Sequence, residues 1–393
     1  MPSVRILHAP IALLTVACST ADPPALHPDA TVVANADTGL STPADTGVST
    51  PADAGLLADA EVEQDAGVVV DSGLPPDRAL SWAPAMPPPG NNPNWGARLV
   101  YIPGESRFIL FGGDSYPVAG TMGDTWSLSA TDGNWTKLDV SGDIPPPRYC
   151  YCAVYLPDSH EVLLVGGRNE DAALPPAAFT LDLSTLSWRQ IQGDTPRGVI
   201  GCSVEWMPRI GRAIVYGGGG SRSVFQDTWS YDPVARAFTL LSGLSQTPPG
   251  RADAPSFYDP VSGKMFVFSG AVRAVPPFQM RDDLWAFDGQ DWGLVPTSTS
   301  PGARRFSASA YDPIGARWYV FGGSYGPADR DDLWSFEPAS STWTKIELAD
   351  PPTARAFSAS SYDPIAHALL LVGGLTVDFR AFSDGYRLLL PTR

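Results

Sequence analysis

Six successive copies of a unit about fifty residues long predict an all-β, six-bladed propeller. Three observations carry that prediction. A Gly-Gly doublet, or the position matching it, has its first residue at Gly112, Gly166, Gly217, Ser269, Gly322 and Gly373, in steps of 54, 51, 52, 53 and 51 residues. An aromatic follows each doublet at Trp126, Phe179, Trp229, Trp285, Trp334 and Tyr386, and a second comes seven to nine residues later at Trp135, Trp188, Phe238, Trp292 and Trp343. Upstream, an aromatic two places before Pro recurs at Tyr101, Tyr155, Trp206, Tyr258, Tyr311 and Tyr362. A period of this length, holding four short β-rich runs, implies one four-stranded sheet per copy.

Met1–Ala17 holds one basic residue, Arg5, and then the apolar run Ile6–Ala17, too short to span a bilayer but suited to a signal peptide over residues 1–17. Leu14-Thr15-Val16-Ala17-Cys18 resembles the lipobox of bacterial lipoproteins, which implies lipidation of Cys18. Thr15 stands where that motif has Leu. An ordinary secretory signal with an incidental Cys is the plainer alternative. Residues 18–77 read as a disordered tether. Ser19–Asp77 is rich in Asp, Ala, Thr, Pro and Gly, with 11 acidic residues and no Lys or Arg. Such a segment buries too little apolar surface to offset the entropy of ordering. As a flexible chain it spans roughly 40 Å.

The propeller is expected over residues 78–393. Its sixth copy lacks the Trp-bearing outer strand, and Ala79–Pro84, with Trp82, matches that strand ahead of the first copy. Pairing the two closes the ring and covers sheet edges. In the clearest copy, strands are expected at Phe306–Tyr311, Arg317–Phe321, Leu333–Glu337 and Thr342–Ile346, punctuated by Asp-Pro, Gly and Gly-Gly. These repeated residues resemble the kelch repeat, as in the central domain of galactose oxidase and in many kelch interaction proteins. The resemblance covers about four fifths of the chain.

An Arg lies seven residues before the first-strand aromatic at Arg148, Arg251, Arg304 and Arg355, and an Asp lies two before the third-strand aromatic at Asp124, Asp227, Asp283, Asp332 and Asp384. Pairing each Asp with the Arg of the next blade leaves the fewest orphans. Inter-blade staples are therefore expected for Asp124–Arg148, Asp227–Arg251, Asp283–Arg304 and Asp332–Arg355, in preference to a ring of arginines for an anionic ligand.

The loops after the doublets vary in length and content, and loops on a rigid scaffold are where binding concentrates. They offer Tyr116, Arg168, Arg222, Phe225, Arg273, Phe278, Arg281, Tyr325, Arg330, Phe379 and Arg380 as candidate contacts, residue types that suit protein recognition.

Enzyme signals are weak. Copper chemistry of the galactose oxidase kind needs clustered His, whereas the propeller has only His160 and His367, both expected in solvated turns. Gly322-Gly323-Ser324-Tyr325-Gly326 matches a nucleophile elbow in letters, but no helix follows. Gly217–Gly220 lacks the Lys of a phosphate loop. Cys202 is placed to pair with Cys150 or Cys152, and the odd count leaves one thiol. The net charge of −16 and the lack of a basic stripe argue against nucleic acid.

The sequence thus points to an exported, membrane-tethered, non-catalytic propeller of the bacterial cell envelope, monomeric and without metal or cofactor. Its variable loops would bind a protein or a surface glycan. The alternative is an exported propeller enzyme acting on carbohydrate through carboxylates in a central pocket.

Overall fold

The computed structural model describes residues 79–92, 94–116, 118–169, 177–197, 200–220, 223–273 and 279–391. The expected leader, Cys18 and the linker lie outside the described residues, as do Arg222 and Phe278. Six four-stranded antiparallel arrays follow one another around an axis, each running up and down from the axis outward. Blade two carries an extra two-residue strand, Ser141–Gly142, on its outer edge. Blade five shows the pattern: Ala308–Asp312 innermost, then Arg317–Phe321, Leu333–Glu337 and Thr342–Ile346. Three of these four strands keep the expected bounds. The innermost starts at Ala308 rather than Phe306, because Phe306 adopts φ 57° and leaves the strand conformation.

The second strands read as continuous apolar runs, such as Met265–Phe268 and Ala368–Val372, and are buried throughout. Both faces of each sheet pack against a neighbouring blade, so the one-sided alternation of an open sheet is absent. Each of the six blade boundaries has its own apolar cluster. Leu181 and Trp188 lie between blades one and two, Val215 and Tyr231 between two and three, and Met265 and Phe287 between three and four. Trp318 and Trp343 lie between four and five, Phe321 and Leu388 between five and six, and Phe108 and Leu370 between six and one.

Closure is made by the chain ends. Ser81–Ala85 pairs antiparallel with Gly385–Leu389, with Trp82 opposite Leu388. The Trp82 ring packs edge-on against Phe321 of blade five, 4.9 Å between centroids. The N-terminal strand therefore completes the last sheet and seals its contact with the preceding blade. A disulfide, Cys152–Cys202, joins the innermost strand of blade two to the residue just ahead of the innermost strand of blade three, Ser203–Met207, and Cys150 stays a buried thiol.

The arginines are staples, but not with the expected partners. Arg251 holds Asp283 at 2.7 Å, Arg304 holds Asp332 at 2.7 Å, and Arg355 holds Asp384. Each pair lies within one blade. None of the four inter-blade pairs Asp124–Arg148, Asp227–Arg251, Asp283–Arg304 and Asp332–Arg355 occurs among the ion pairs of the described residues. Instead Asp124 meets Lys137 at 2.8 Å and Asp227 meets Arg197 at 3.8 Å.

The reason is backbone geometry. The Arg main chain is bonded to the preceding blade: Gly113 N–H donates to the Arg148 carbonyl, Gly218 to Arg251, Gly270 to Arg304 and Gly323 to Arg355. The side chain then points into its own blade, where Nη1 donates to the doublet carbonyl of Gly166, Ser269, Gly322 or Gly373 at 2.8 to 3.1 Å. One residue thus grips two blades, one by main chain and one by side chain. The first doublet position is left-handed in every copy, φ 55° to 70°. A Cβ on Gly112, Gly217 or Gly322 would sit 2.5 to 2.6 Å from the next Arg carbonyl, so glycine is required for space as well as for φ. Ser269 fills the exceptional place by turning its hydroxyl onto that carbonyl at 2.7 Å.

On the axis the blades are tied by a closed ring of main-chain hydrogen bonds. Cys150 donates to Gly96, Gly201 to Cys150, Asp253 to Gly201, Phe306 to Asp253, Phe357 to Phe306, and Gly96 to Phe357, at 2.6 to 3.0 Å. All six residues are left-handed, φ 54° to 72°.

The Arg304 side chain is wholly buried and the Asp332 carboxylate mostly so. Removing one partner leaves a charge in low dielectric, so Arg304→Met or Asp332→Asn alone should cost about 3–5 kcal/mol. A double-mutant cycle read by denaturant unfolding should show coupling of at least about 1 kcal/mol for Arg304 with Asp332, and below about 0.5 kcal/mol for Arg304 with Asp283. The reverse ranking would reinstate the inter-blade pairing.

Candidate functional site

The ring divides the axis into two ends of different chemistry. At the variable-loop end, Trp95, Tyr149, Phe306, Phe357 and Leu375 form an apolar cap, with Phe379 packed on it. Phe306 and Phe357 stack at 3.5 Å between centroids, and Trp95 sits edge-on to Tyr149 and Phe357 at 4.8 and 5.5 Å. The loops of blades one, three, four, five and six are anchored at their bases by short bridges, such as Ala252 to Ala271 or Arg305 to Ser324. The loop bases are therefore fixed and the tips project.

The expected contacts fall into two sets. Tyr116, Arg273, Arg281, Tyr325 and Arg380 are exposed. Arg168, Phe225, Arg330 and Phe379 are half-buried and engaged in the scaffold. The Arg168 guanidinium lies 5.7 Å from the Tyr149 ring, and Arg330 lies over Tyr325 at 5.6 Å and 4.0 Å from Asp332. The Phe225 carbonyl receives Arg251 N–H. Arg380 is held over Phe382 at 5.3 Å. Exposed Tyr and Arg around a rigid apolar cap are what a protein partner can desolvate at low entropic cost.

Beyond the ring, the innermost strands enclose a cavity of about 400 Å³ that runs from Asp253 and Phe306 to Tyr101, Tyr155, Tyr258, Tyr311 and Tyr362. Exposed Pro103 lines its far end, on the face opposite the variable loops. Arg98, Glu205 and Asp253 are the charged residues of its wall, with serines from blades three to six. Glu205 Oε1 accepts from Ser256 Oγ at 2.7 Å. Asp253 is buried, its Oδ2 3.9 Å from Arg305 Nη1, and its Oδ1 has no hydrogen-bond partner. Burial pushes both carboxyls up to about 7. Hydrogen bonds from Ser256 and the Tyr258 backbone oppose the shift at Glu205, and Arg305 and Arg98 oppose it at Asp253.

The sequence allowed for a central pocket with carboxylates but did not single out Glu205 and Asp253, because they occupy different repeat positions. The available signal was that each interrupts a column of small or apolar residues in the other copies.

Other chemical readings find little support. Among the described residues no group of three or more His, Cys, Asp or Glu is placed to hold a metal ion. Ser324 is buried and opens a two-residue hairpin, Ser324–Tyr325 with Ala328–Asp329, not a strand-to-helix elbow. Both histidines lie in turns as expected, His160 partly exposed, and the departure is the burial of His367. His367 is buried, 3.2 Å from Asp312 of the preceding blade, and His160 bridges Tyr155 at 2.9 Å and Glu105 at 2.7 Å. Each is tied into the scaffold because its turn packs against the neighbouring blade.

Comparison with known proteins bears on the whole array. The family model of the KLHDC2/KLHL20/DRC7 Kelch-repeats domain matches residues 96–260 and 214–393. Human Kelch domain-containing protein 3 is 28% identical over 246 residues, 57% of this chain and 62% of that protein. Mouse Multiple epidermal growth factor-like domains protein 8 is 25% identical over 283 residues, 68% of this chain and 10% of that protein. The N-(sulfonatooxy)prop-2-enimidothioate sulfolyase of Thlaspi arvense is 23% identical over 275 residues, 62% of this chain and 74% of that protein. The match to Kelch domain-containing protein 3 thus spans 62% of that relative's length.

The two raised carboxyls set a pH dependence. A group that titrates higher in the folded than in the unfolded chain binds its proton more tightly when folded. Its contribution to stability is full below the usual carboxylate range and is lost as pH rises through about 7. The melting temperature should therefore fall between about pH 5 and pH 8, and Glu205→Gln should flatten the profile. An equally steep profile in that variant would place the titration elsewhere.

Proposed function

The chain belongs to the kelch-repeat propeller family, whose fold serves as a protein-binding scaffold, and from that premise we propose that it is an exported, tethered scaffold whose variable-loop face docks a protein. One observation carries the docking reading. Tyr116, Arg273 and Tyr325 stand exposed on loops whose bases are pinned around the aromatic cap. Such a surface is organised before binding, so little ordering entropy is left to lose.

Export is supported by the apolar run Ile6–Ala17 with Cys18 behind it, and by the Cys152–Cys202 bond, since disulfides persist in oxidising compartments. Lipidation of Cys18 would leave residues 19–78 between anchor and propeller, and their composition suits a spacer.

Two experiments test the two halves. With full-length protein as bait, Tyr116→Ala, Arg273→Glu and Tyr325→Ala combined should weaken capture of the partner by at least about tenfold, as expected for aromatic and Arg hot spots. Val261→Ser, exposed on the opposite face, should leave capture unchanged. Loss of capture in the Val261 variant alone would move the docking face. For the tether, Cys18→Ser should shift the protein from the membrane to the soluble fraction. Fractionation identical to the wild type would rule out the lipid anchor.

A further inference from the structure

We propose that the Cys152–Cys202 bond is a redox switch: it fastens the blade seam whose head residue cannot grip, and a small thiol releases it. If the loop face docks a protein, the spacing of its loops across this seam comes under redox control. The experiment below reads the seam itself and is therefore separate from the docking reading.

At five seams the residue at the head of a blade holds both sides. Arg148, Arg251, Arg304, Arg355 and Asn94 each accept a glycine N–H of the preceding blade on the main-chain carbonyl. Each side chain then donates to the doublet carbonyl of its own blade, at 2.8 to 3.2 Å. Between blades two and three the register residue is Val199, which lies outside the described residues and whose side chain has no hydrogen-bond donor. Arg197 stands two residues off, 72% exposed and 3.8 Å from Asp227, a contact too open to solvent to replace the grip.

The disulfide crosses this same seam. Cys152 belongs to Tyr149–Leu156 of blade two, Cys202 stands just ahead of Ser203–Met207 of blade three, and their Cα atoms are 5.7 Å apart. Beside the bond runs the ring link of this seam, Gly201 N–H to the Cys150 carbonyl at 2.8 Å. Gly201 adjoins Cys202, and Cys150 is two residues from Cys152, so the covalent bond and the ring link hold the same two stretches. Once the bond is released, the seam keeps its apolar cluster and, towards the face opposite the loops, the Arg236–Glu161 pair at 2.9 Å. The freed thiols pack as small apolar side chains in that cluster. Loosening is therefore confined to the ring and loop end, and the propeller stays folded.

Both half-cystines are buried, and both join the wall of the axial cavity. A space of about 400 Å³ admits a small thiol and excludes a folded oxidoreductase. Two equivalents of the thiol supply the two electrons. The first, as its thiolate, attacks one half-cystine sulfur; the S–S bond breaks and the other sulfur leaves as a thiolate that takes up a proton. The second attacks the mixed disulfide and frees the remaining cysteine. The products are two protein thiols and one small-molecule disulfide, and oxidation by such a disulfide runs the steps in reverse. The third thiol, Cys150, packs into the aromatic cap.

Hydrogen exchange of the full-length protein, oxidised and after incubation with glutathione, tests the proposal. Alkylation and peptide mapping should find Cys152 and Cys202 reduced in the folded protein. The Gly201 amide should then exchange at least about tenfold faster, while the Phe306 amide, the ring link between blades four and five, stays within about twofold. The melting temperature should fall by at least about 4 °C in a single cooperative transition. Cys152→Ala combined with Cys202→Ala should show the reduced exchange at Gly201 and no response to glutathione; should that variant fail to fold, the reduced wild type decides. A bond that glutathione leaves intact in the folded protein, unchanged exchange at Gly201 after reduction, equal acceleration at Gly201 and Phe306, or a folded double variant that exchanges like the oxidised protein overturns the proposal.

Discussion

The closed ring of six main-chain hydrogen bonds around the axis is the constraint on which the rest of the structure depends. Each link joins one blade to the next, so all six blades must stand in the same register to the axis. The ring requires left-handed backbone at every member. Gly96 and Gly201 adopt it without penalty, whereas Cys150, Asp253, Phe306 and Phe357 accept strain of about 1–2 kcal/mol each. That strain is held in place from outside. The six interfacial clusters and the Cys152–Cys202 bond hold neighbouring blades together, and the Ser81–Ala85 strand closes the circle. At Gly201 the ring also explains the missing side chain, because a Cβ there would collide with Asp253.

The arginine at the head of blades two, four, five and six shows how a repeat can bind its neighbours without a pair of complementary charges across the boundary. Its main chain belongs to the preceding blade's loop and its side chain to its own sheet. Blades lacking part of the pattern use substitutes. Arg148, in the blade with Ala177 in place of the Asp, still donates to the Gly166 carbonyl and lies 4.9 Å from the Phe179 ring. Asn94 takes the Arg position in blade one and donates to the Gly112 carbonyl at 3.2 Å. The carbonyl contact survives in both, and the carboxylate is the dispensable part.

The axis separates two kinds of surface. At one end, an aromatic cap fixes loops whose tips expose Tyr and Arg, a surface suited to a macromolecule. At the other, a polar cavity enters the molecule as far as the ring and ends on a carboxylate. A propeller packs its blades by their faces, so its inner strands are free to carry polar residues at little cost to the core. Serines and carboxylates accordingly concentrate there.

The sequence by itself determined the architecture. A doublet every fifty-odd residues, with aromatics at set offsets, specifies six four-stranded blades, and Trp82 marks the closing strand. Those features are legible because each repeats, and because strand, turn and left-handed glycine are local properties of the chain. The staple partners were misassigned because an ion pair depends on where the side chain points. Counting Asp and Arg along the chain cannot tell the same blade from the next. The Cys152–Cys202 pairing, the burial of His367 and the axial cavity were likewise decided only in three dimensions. Glu205 and Asp253 lie 48 residues apart at unmatched repeat positions. Packing of the innermost strands of blades three and four brings them to one wall, where a shared loss of solvent pushes both carboxyls up to about 7.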